Sequence, residues 1–145
     1  IIKTNQMETS SELILVVGAV PRNESTASLV RGLKERKNIN PTIDEHLAAL
    51  GAIAEDAKEV LDSPEQLGWY ALEAQDRLKR LGLVSGFHQQ IIKEGVSLGA
   101  WGGKMSGAGG GGAYYLVARS LDDANAIIQG IETLNIPHTL APIVI

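Results

Sequence analysis

Lys104, Ser106 and glycines 107, 109, 110, 111 and 112 fall within nine residues, inside the run Trp-Gly-Gly-Lys-Met-Ser-Gly-Ala-Gly-Gly-Gly-Gly-Ala that ends at Ala113. A lysine ammonium, a hydroxyl and a tract of backbone amides with no Cβ in front of them are the parts of an anion site. Successive glycine amides can turn inward as a concave nest that a phosphate approaches closely, while the lysine adds charge and the serine another donor. Where another residue could take the same backbone angles, each glycine costs roughly 0.4–1 kcal/mol because it leaves the unfolded chain freer. Five cost about 2–5 kcal/mol, against a domain stability of about 5–15 kcal/mol. The alternative that needs no ligand is a tight or bulged strand connection whose glycines serve only unusual dihedrals.

Two familiar nucleotide motifs fail on context. Gly107, Gly109 and Gly112 formally satisfy G-x-G-x-x-G, but a dinucleotide fingerprint has a strand before it and a helix after it, and here a strand follows. A P-loop places its lysine and hydroxyl after the glycines, whereas Lys104 and Ser106 precede them.

The elements that must hold this loop are legible from periodicity. Glu12-Leu-Ile-Leu-Val-Val17 reads as a buried strand ended by Gly18. Leu29, Val30 and Leu33 recur at helical spacing between Thr26 and Arg36. Asn40-Pro41-Thr42, with Glu45 three residues on, opens a second helix to about Leu61, whose stripe is Ile43, Leu47, Leu50, Ala54, Ala57 and Leu61. Ser63-Pro64-Glu65-Gln66 starts a third, with Leu67, Ala71, Ala74, Leu78 and Leu81 inward and Gly82 ending it. The short Asp62-Ser63 link makes these two an antiparallel pair. Ser85 caps a segment with Phe87, Ile91, Ile92 and Gly95 on one side, ending near Gly99. Beyond the glycine loop come a strand at 113–118, a helix capped by Ser120 that carries Ala124, Ile127, Ile128, Ile131 and Leu134, and a final strand at 139–145 that Pro142 places at an edge. Strands near 12–17, 101–106, 113–118 and 139–145 predict an α+β fold with helices on one sheet face and a helical insertion, treated as one unit over 1–145.

Composition restricts the partners. The 145 residues are 44% hydrophobic and 21% charged, which suits a folded domain with a sizeable core. A formal charge of −4 argues against bulk attraction to nucleic acid or anionic lipid. There is no cysteine for disulfides or thiolate metal sites, and a reducing cytoplasm is the simplest setting. Leu13 to Val17 is the longest apolar run, too short to span a bilayer. A start at Ile1 suggests a processed product, a trimmed chain or half of something longer.

The stretch GGKMSGAGGGGAYYLVA resembles the glycine-rich motif near the C-terminus of the GHMP kinases: a lysine, an apolar residue, Thr or Ser, then Gly-Ala-Gly-Gly-Gly-Gly. Within that superfamily it is most similar to the mevalonate kinase branch. Ser25-Thr26 before Leu29-Val30, the run Leu81-Gly-Leu-Val-Ser85 and the ending Ile136-Pro-His-Thr139 look similar too, so the likeness spans nearly the whole chain. The resemblance implies a C-terminal GHMP kinase domain with a ferredoxin-like antiparallel sheet of about four strands. It implies ATP as cofactor, with Lys104, Ser106, Gly107, Ala108, Gly109, Gly110, Gly111 and Gly112 bordering the cleft for its phosphates and the acceptor alcohol; Lys104, on the strand before the turn, either faces that cleft or points away from it to pack or pair on the surface. On this branch the reaction is phosphorylation of mevalonate to 5-phosphomevalonate, in isoprenoid biosynthesis.

The family's other motifs are missing: the earlier Pro-x-x-x-Gly-Leu-Gly-Ser-Ser-Ala loop, the acid that binds Mg²⁺ and the aspartate beside the reacting hydroxyl belong to an N-terminal half. No catalytic residue and no metal ligand is therefore expected here, and the chain alone is expected to be inactive without that half. A homodimer is an open partner. Val16-Val-Gly-Ala-Val-Pro-Arg22 departs from the Asp-Thr-Gly common in mevalonate kinases, which keeps a phosphomevalonate kinase in play. A non-catalytic anion-binding module, and a purely structural glycine turn, are the readings from other classes.

The remaining residues point less far. His46, His88 and His138 lack ligand spacing and are expected to be surface or structural. Trp69 and Tyr70 are expected as core or edge packing. Arg22 either faces the cleft or is a solvated turn arginine. Glu55, Asp56 and Glu59 form a solvated helix face.

Overall fold

The computed structural model describes residues 7–137 and 139–145, so His138 lies outside the described residues. Four strands and five helices follow in the order β1 (Ile14–Val20), α1 (Thr26–Lys37), α2 (Thr42–Lys58), α3 (Pro64–Arg80), α4 (Gly86–Ser97), β2 (Gly102–Met105), β3 (Gly112–Ala118), α5 (Leu121–Glu132) and β4 (Thr139–Val144). The strands form one antiparallel sheet in the order β2-β3-β1-β4. This is the ferredoxin-like arrangement, with α4 and α5 as the two crossover helices and α1–α3 inserted into the first crossover. β4 is an edge strand, as Pro142 required. β1 runs past Gly18 to Val20 because it is paired on both sides, Gly18 opposite Tyr114 and Leu140, and Val20 opposite Gly112.

Three helix starts use the serines anticipated from the sequence: Ser63, Ser85 and Ser120 accept from the amides of Gln66, His88 and Asp123. α1 is capped the same way by Ser25. α2 differs, because Pro41 is its cap residue and Asn40 Oδ1 takes both the Thr42 amide at 3.0 Å and the Thr42 hydroxyl at 2.8 Å. It also stops at Lys58, short of Leu61. Gly82 ends α3 at φ 71°.

One sheet face is sealed by α4 and α5. Val16, Leu116, Ile91, Ile127 and Ile131 lie there fully buried, with Tyr114 beside them. α4 comes close because Gly95 has no Cβ: one placed there would lie 2.5 Å from Leu116 Cδ1.

The other face meets the inserted α2–α3 pair. α3 rests on the edge strand β2 through two glycines, since a Cβ on Gly102 would overlap the Gly68 carbonyl, and Gln75 Oε1 accepts the Met105 amide at 2.9 Å. α2 packs on α3 and stands off the strands, leaving a cavity of about 550 Å³ between the helical pair and the sheet. This overturns part of the anticipated α2 stripe: Ile43 is buried, but Leu47 and Ala54 are exposed. The stripe has the right period and no sheet pressed against it. Trp69, expected in packing, is 55% exposed on the outer side of α3. Among the described residues no helix is long and apolar enough to cross a membrane.

Candidate functional site

The glycine loop joins β2 to β3 and is clamped between two other connections. The Gly110 amide donates to Leu83 O at 2.9 Å, in the α3–α4 link, and Gly110 O accepts from the Asn23 amide at 3.0 Å, in the β1–α1 turn. Glycines 107, 109, 110, 111 and 112 all have positive φ, from 66° to 111°, a region that L-residues with side chains rarely enter.

The glycines serve different purposes. A Cβ on Gly109 would overlap Leu83 O and one on Gly111 would overlap Pro21 O, so these two are required by neighbouring backbone. Gly107 is exposed, and the nearest atom to a Cβ there is Arg22 Nη2 at 3.5 Å. A Cβ on Gly112 would lie 2.9 Å from Arg22 Nε. The guanidinium of Arg22 thus sits against both ends of the loop, and its Nη1 donates to Thr26 Oγ1 at 3.1 Å. No described carboxylate forms an ion pair with it. Of the two alternatives open for Arg22, it stands against the loop, a placement set by a turn whose course no local pattern specifies.

The loop amides divide as well. Gly110 N–H is engaged by Leu83 O, whereas those of Gly107, Ala108, Gly109 and Gly111 donate to no described residue. Ser106 is exposed at the loop entrance, its amide bonded to Ala113 O at 2.8 Å. Lys104 points elsewhere than the other members of the motif. It lies in β2 opposite Tyr115, its Nζ donates to Met105 O at 2.6 Å and sits 5.6 Å from the Tyr115 ring centroid. It lines the cavity under α2–α3, whose wall also includes Gly107. Burial holds its ammonium below the usual lysine range and pushes the Tyr115 phenol up.

His88 supports the loop from the sealed face. Fully buried on α4, it brings Nε2 within 3.0 Å of Gly112 O. A carbonyl only accepts, so Nε2 carries the proton and the ring is held neutral, its pKa lowered by burial despite that hydrogen bond. Its ring meets Tyr114 edge-on at 6.1 Å. The expectation of a structural histidine holds for His88, but its contact with the loop was not foreseen; a histidine one turn inside a capped helix beside Ile91 and Ile92 was the available signal.

Amides that donate to no described residue, with a guanidinium beside them, are donors that suit the anionic oxygens of a phosphate, and a Cβ on the exposed Gly107 would take up room beside Arg22. The same residues do not suit Mg²⁺. Among the described residues no group of three or more His, Asp or Glu could hold a metal ion. Glu24, near Gly110, is engaged by the Ser28 hydroxyl at 3.4 Å.

The mevalonate kinase of Thermococcus gammatolerans is 33% identical over 115 residues, covering 74% of this chain and 34% of that protein. That of Pyrococcus horikoshii is 32% identical over 133 residues, covering 80% and 38%. The chain therefore spans a little over a third of the length of these relatives. Among solved structures, L. major mevalonate kinase in complex with R-mevalonate superposes with a TM-score of 0.86 at 24% identity, over 96% of this chain and 44% of that one. The Streptococcus pneumoniae phosphomevalonate kinase gives 0.79 at 19% identity, over 97% and 43%. The family model described as GHMP kinases C terminal matches residues 61–135. That match covers just over half of the sequence, from the start of α3 through α5 with the glycine loop inside it, and the chain belongs to the GHMP kinases.

Proposed function

We propose that the chain forms the C-terminal part of an ATP-dependent kinase that phosphorylates mevalonate to 5-phosphomevalonate, in the cytoplasm, and that it is inactive without the N-terminal half its relatives possess. The observation that carries this reading is the β2–β3 loop: four unengaged amides, the Ser106 hydroxyl and the Arg22 guanidinium at one end of the sheet. ATP supplies the phosphoryl group. Ser106, Gly107, Ala108, Gly109, Gly110, Gly111 and Gly112 form the wall against its phosphates, amides 107, 108, 109 and 111 donating to anionic oxygens and Gly110 holding the wall in shape. Lys104, its Nζ on Met105 O and turned to the cavity, stands outside this wall.

Phosphoryl transfer rests mainly on positioning and on stabilising charge. This chain can orient and neutralise phosphate oxygens; Glu24, whose side chain approaches Gly110, has its carboxylate engaged by the Ser28 hydroxyl, and among the described residues no group of three or more acids or histidines could hold a metal ion. In this reading the group that orients the acceptor hydroxyl and the Mg²⁺ ligands belong to the N-terminal half.

A test compares the gene-encoded full-length protein with residues 1–145 in an ATP-to-mevalonate phosphoryl-transfer assay. Turnover is expected only from the full-length protein, and robust turnover by the chain alone would refute the division of labour. A second reading, transfer to 5-phosphomevalonate, is favoured by the likeness to the Streptococcus pneumoniae phosphomevalonate kinase and by the Val16–Arg22 departure. The same assay decides it by the acceptor with the higher kcat/KM.

A further inference from the structure

The cavity beneath the α2–α3 pair meets the loop at Gly107 and otherwise runs between the helices and the sheet. Its volume, about 550 Å³, falls within the range of small-molecule sites. Its walls are hydrocarbon: Leu15 and Val117 from the sheet, Leu50, Ile53 and Leu61 from α2 and its exit, Leu78 from α3. Among the described residues, Lys104 is the only charged one that lines it.

That ammonium has three N–H donors. Met105 O takes one, and no described carboxylate forms an ion pair with it. A cation among apolar walls without a counter-ion is costly, which is consistent with the lowered pKa. The charge stands at one end. Lys104 and Gly107 mark the loop side, while Tyr115 is opposite Val17 on β1, four residues from Leu13 on the far wall. At about 3.3 Å per residue this wall is roughly 13 Å long, of the order of an extended decanoyl chain.

We propose that this cavity is a second ligand site, for an amphiphilic anion whose carboxylate or phosphate head meets Lys104 and whose apolar chain lies between α2 and the β1–β3 surface. The inference does not rest on the kinase reading. It requires only the cavity, its lining and the unpaired cation.

The experiment is calorimetric titration of the full-length protein, without nucleotide, with decanoate, decyl phosphate and decanol. At least one anion should bind with micromolar affinity and at least about tenfold tighter than decanol. The stronger of decanoate and decyl phosphate identifies the head group. Lys104→Met should abolish the preference for the anion, Lys104→Arg should keep it, and Ala57→Phe, which fills the cavity from α2, should weaken all three ligands. Equal binding of decanol and both anions overturns the proposal, as does undiminished anion preference in Lys104→Met. Absence of binding overturns it too, and would mean that another part of the polypeptide fills the space. Absence of phosphoryl transfer by the wild-type full-length protein, with anion binding intact, would sink the kinase reading alone.

Discussion

Tyr115 and Leu116 are adjacent on β3 and point to opposite faces of the sheet. Leu116 is fully enclosed by α4 and α5, whose Gly95 and Ala124 let the helix backbones approach. Tyr115 faces a cavity, because on its side close approach occurs only where Gly68 meets Gly102 at the edge strand, and α2 is held by α3 rather than by the sheet. Both faces come from one apolar alternation. Closure therefore depends on where a small residue lets a helix reach the strands, and the open side keeps space beside Tyr115.

The largest expected effect separates the two faces directly. Leu116→Ala should cost about 2–5 kcal/mol in urea unfolding, the transfer loss plus a new cavity. Leu15→Ala, half-buried beside existing space, should cost less than about 1.5 kcal/mol. Equal losses would mean that the two faces are equally closed in solution.

Next in size is the loop that joins β2 to β3, where glycines packed against backbone contrast with an exposed one. Gly109→Ala carries both the left-handed φ and an overlap with Leu83 O, so its loss should clearly exceed the roughly 1–2 kcal/mol of the backbone term. Gly107→Ala, whose Cβ would meet only Arg22 Nη2 at an ordinary contact distance of 3.5 Å, should lose only that term and remain folded. Its nucleotide-analogue affinity in the full-length protein should nevertheless drop. If Gly107→Ala destabilises as much as Gly109→Ala, the distinction between packing glycines and ligand-facing glycines is wrong.

The sealed face should also show its histidine. His88 has a folded pKa below its ordinary 6.5 because burial disfavours the imidazolium. Between those two values the unfolded chain binds a proton that the native protein refuses. Its stabilising contribution is therefore complete above 6.5 and is lost as pH falls below it. A melting-temperature profile should decline on acidification through that window and flatten in His88→Gln; identical slopes would deny His88 this role.

The smallest effect on stability, within about 0.5 kcal/mol, is expected for the exposed Arg22→Met. Its consequence should appear in binding, as an ATP-analogue affinity about tenfold weaker in the full-length protein. Unchanged affinity would remove the guanidinium from the phosphate site.

Much of the fold was legible because its signals are local. Ser63, Ser85 and Ser120 each supply an oxygen within one turn of the amide they cap, so the helix starts follow from neighbours in the chain. The same holds for Pro142, which lacks the N–H a central strand needs. The α2 stripe was harder: periodicity identifies a helix, but Leu47 and Ala54 are exposed because nothing in a 3.6-residue pattern says how far the partner layer stands. For the candidate site, the loop was plain in the sequence. The split among its glycines was not, since the atoms that decide it, Leu83 O, Pro21 O and the Arg22 side chain, come from other connections.

The sequence by itself determined the elements, their caps, the run of glycines that only a left-handed loop requires, and the resemblance that matched residues later supported. Only the tertiary structure decided that Lys104 turns into an apolar cavity, that Arg22 crosses the loop in its place, and that a buried histidine holds the Gly112 carbonyl. The physical reason is range. Capping and periodicity act over a few residues, whereas the direction of a charge and the closing of a space depend on segments that meet only when the chain folds.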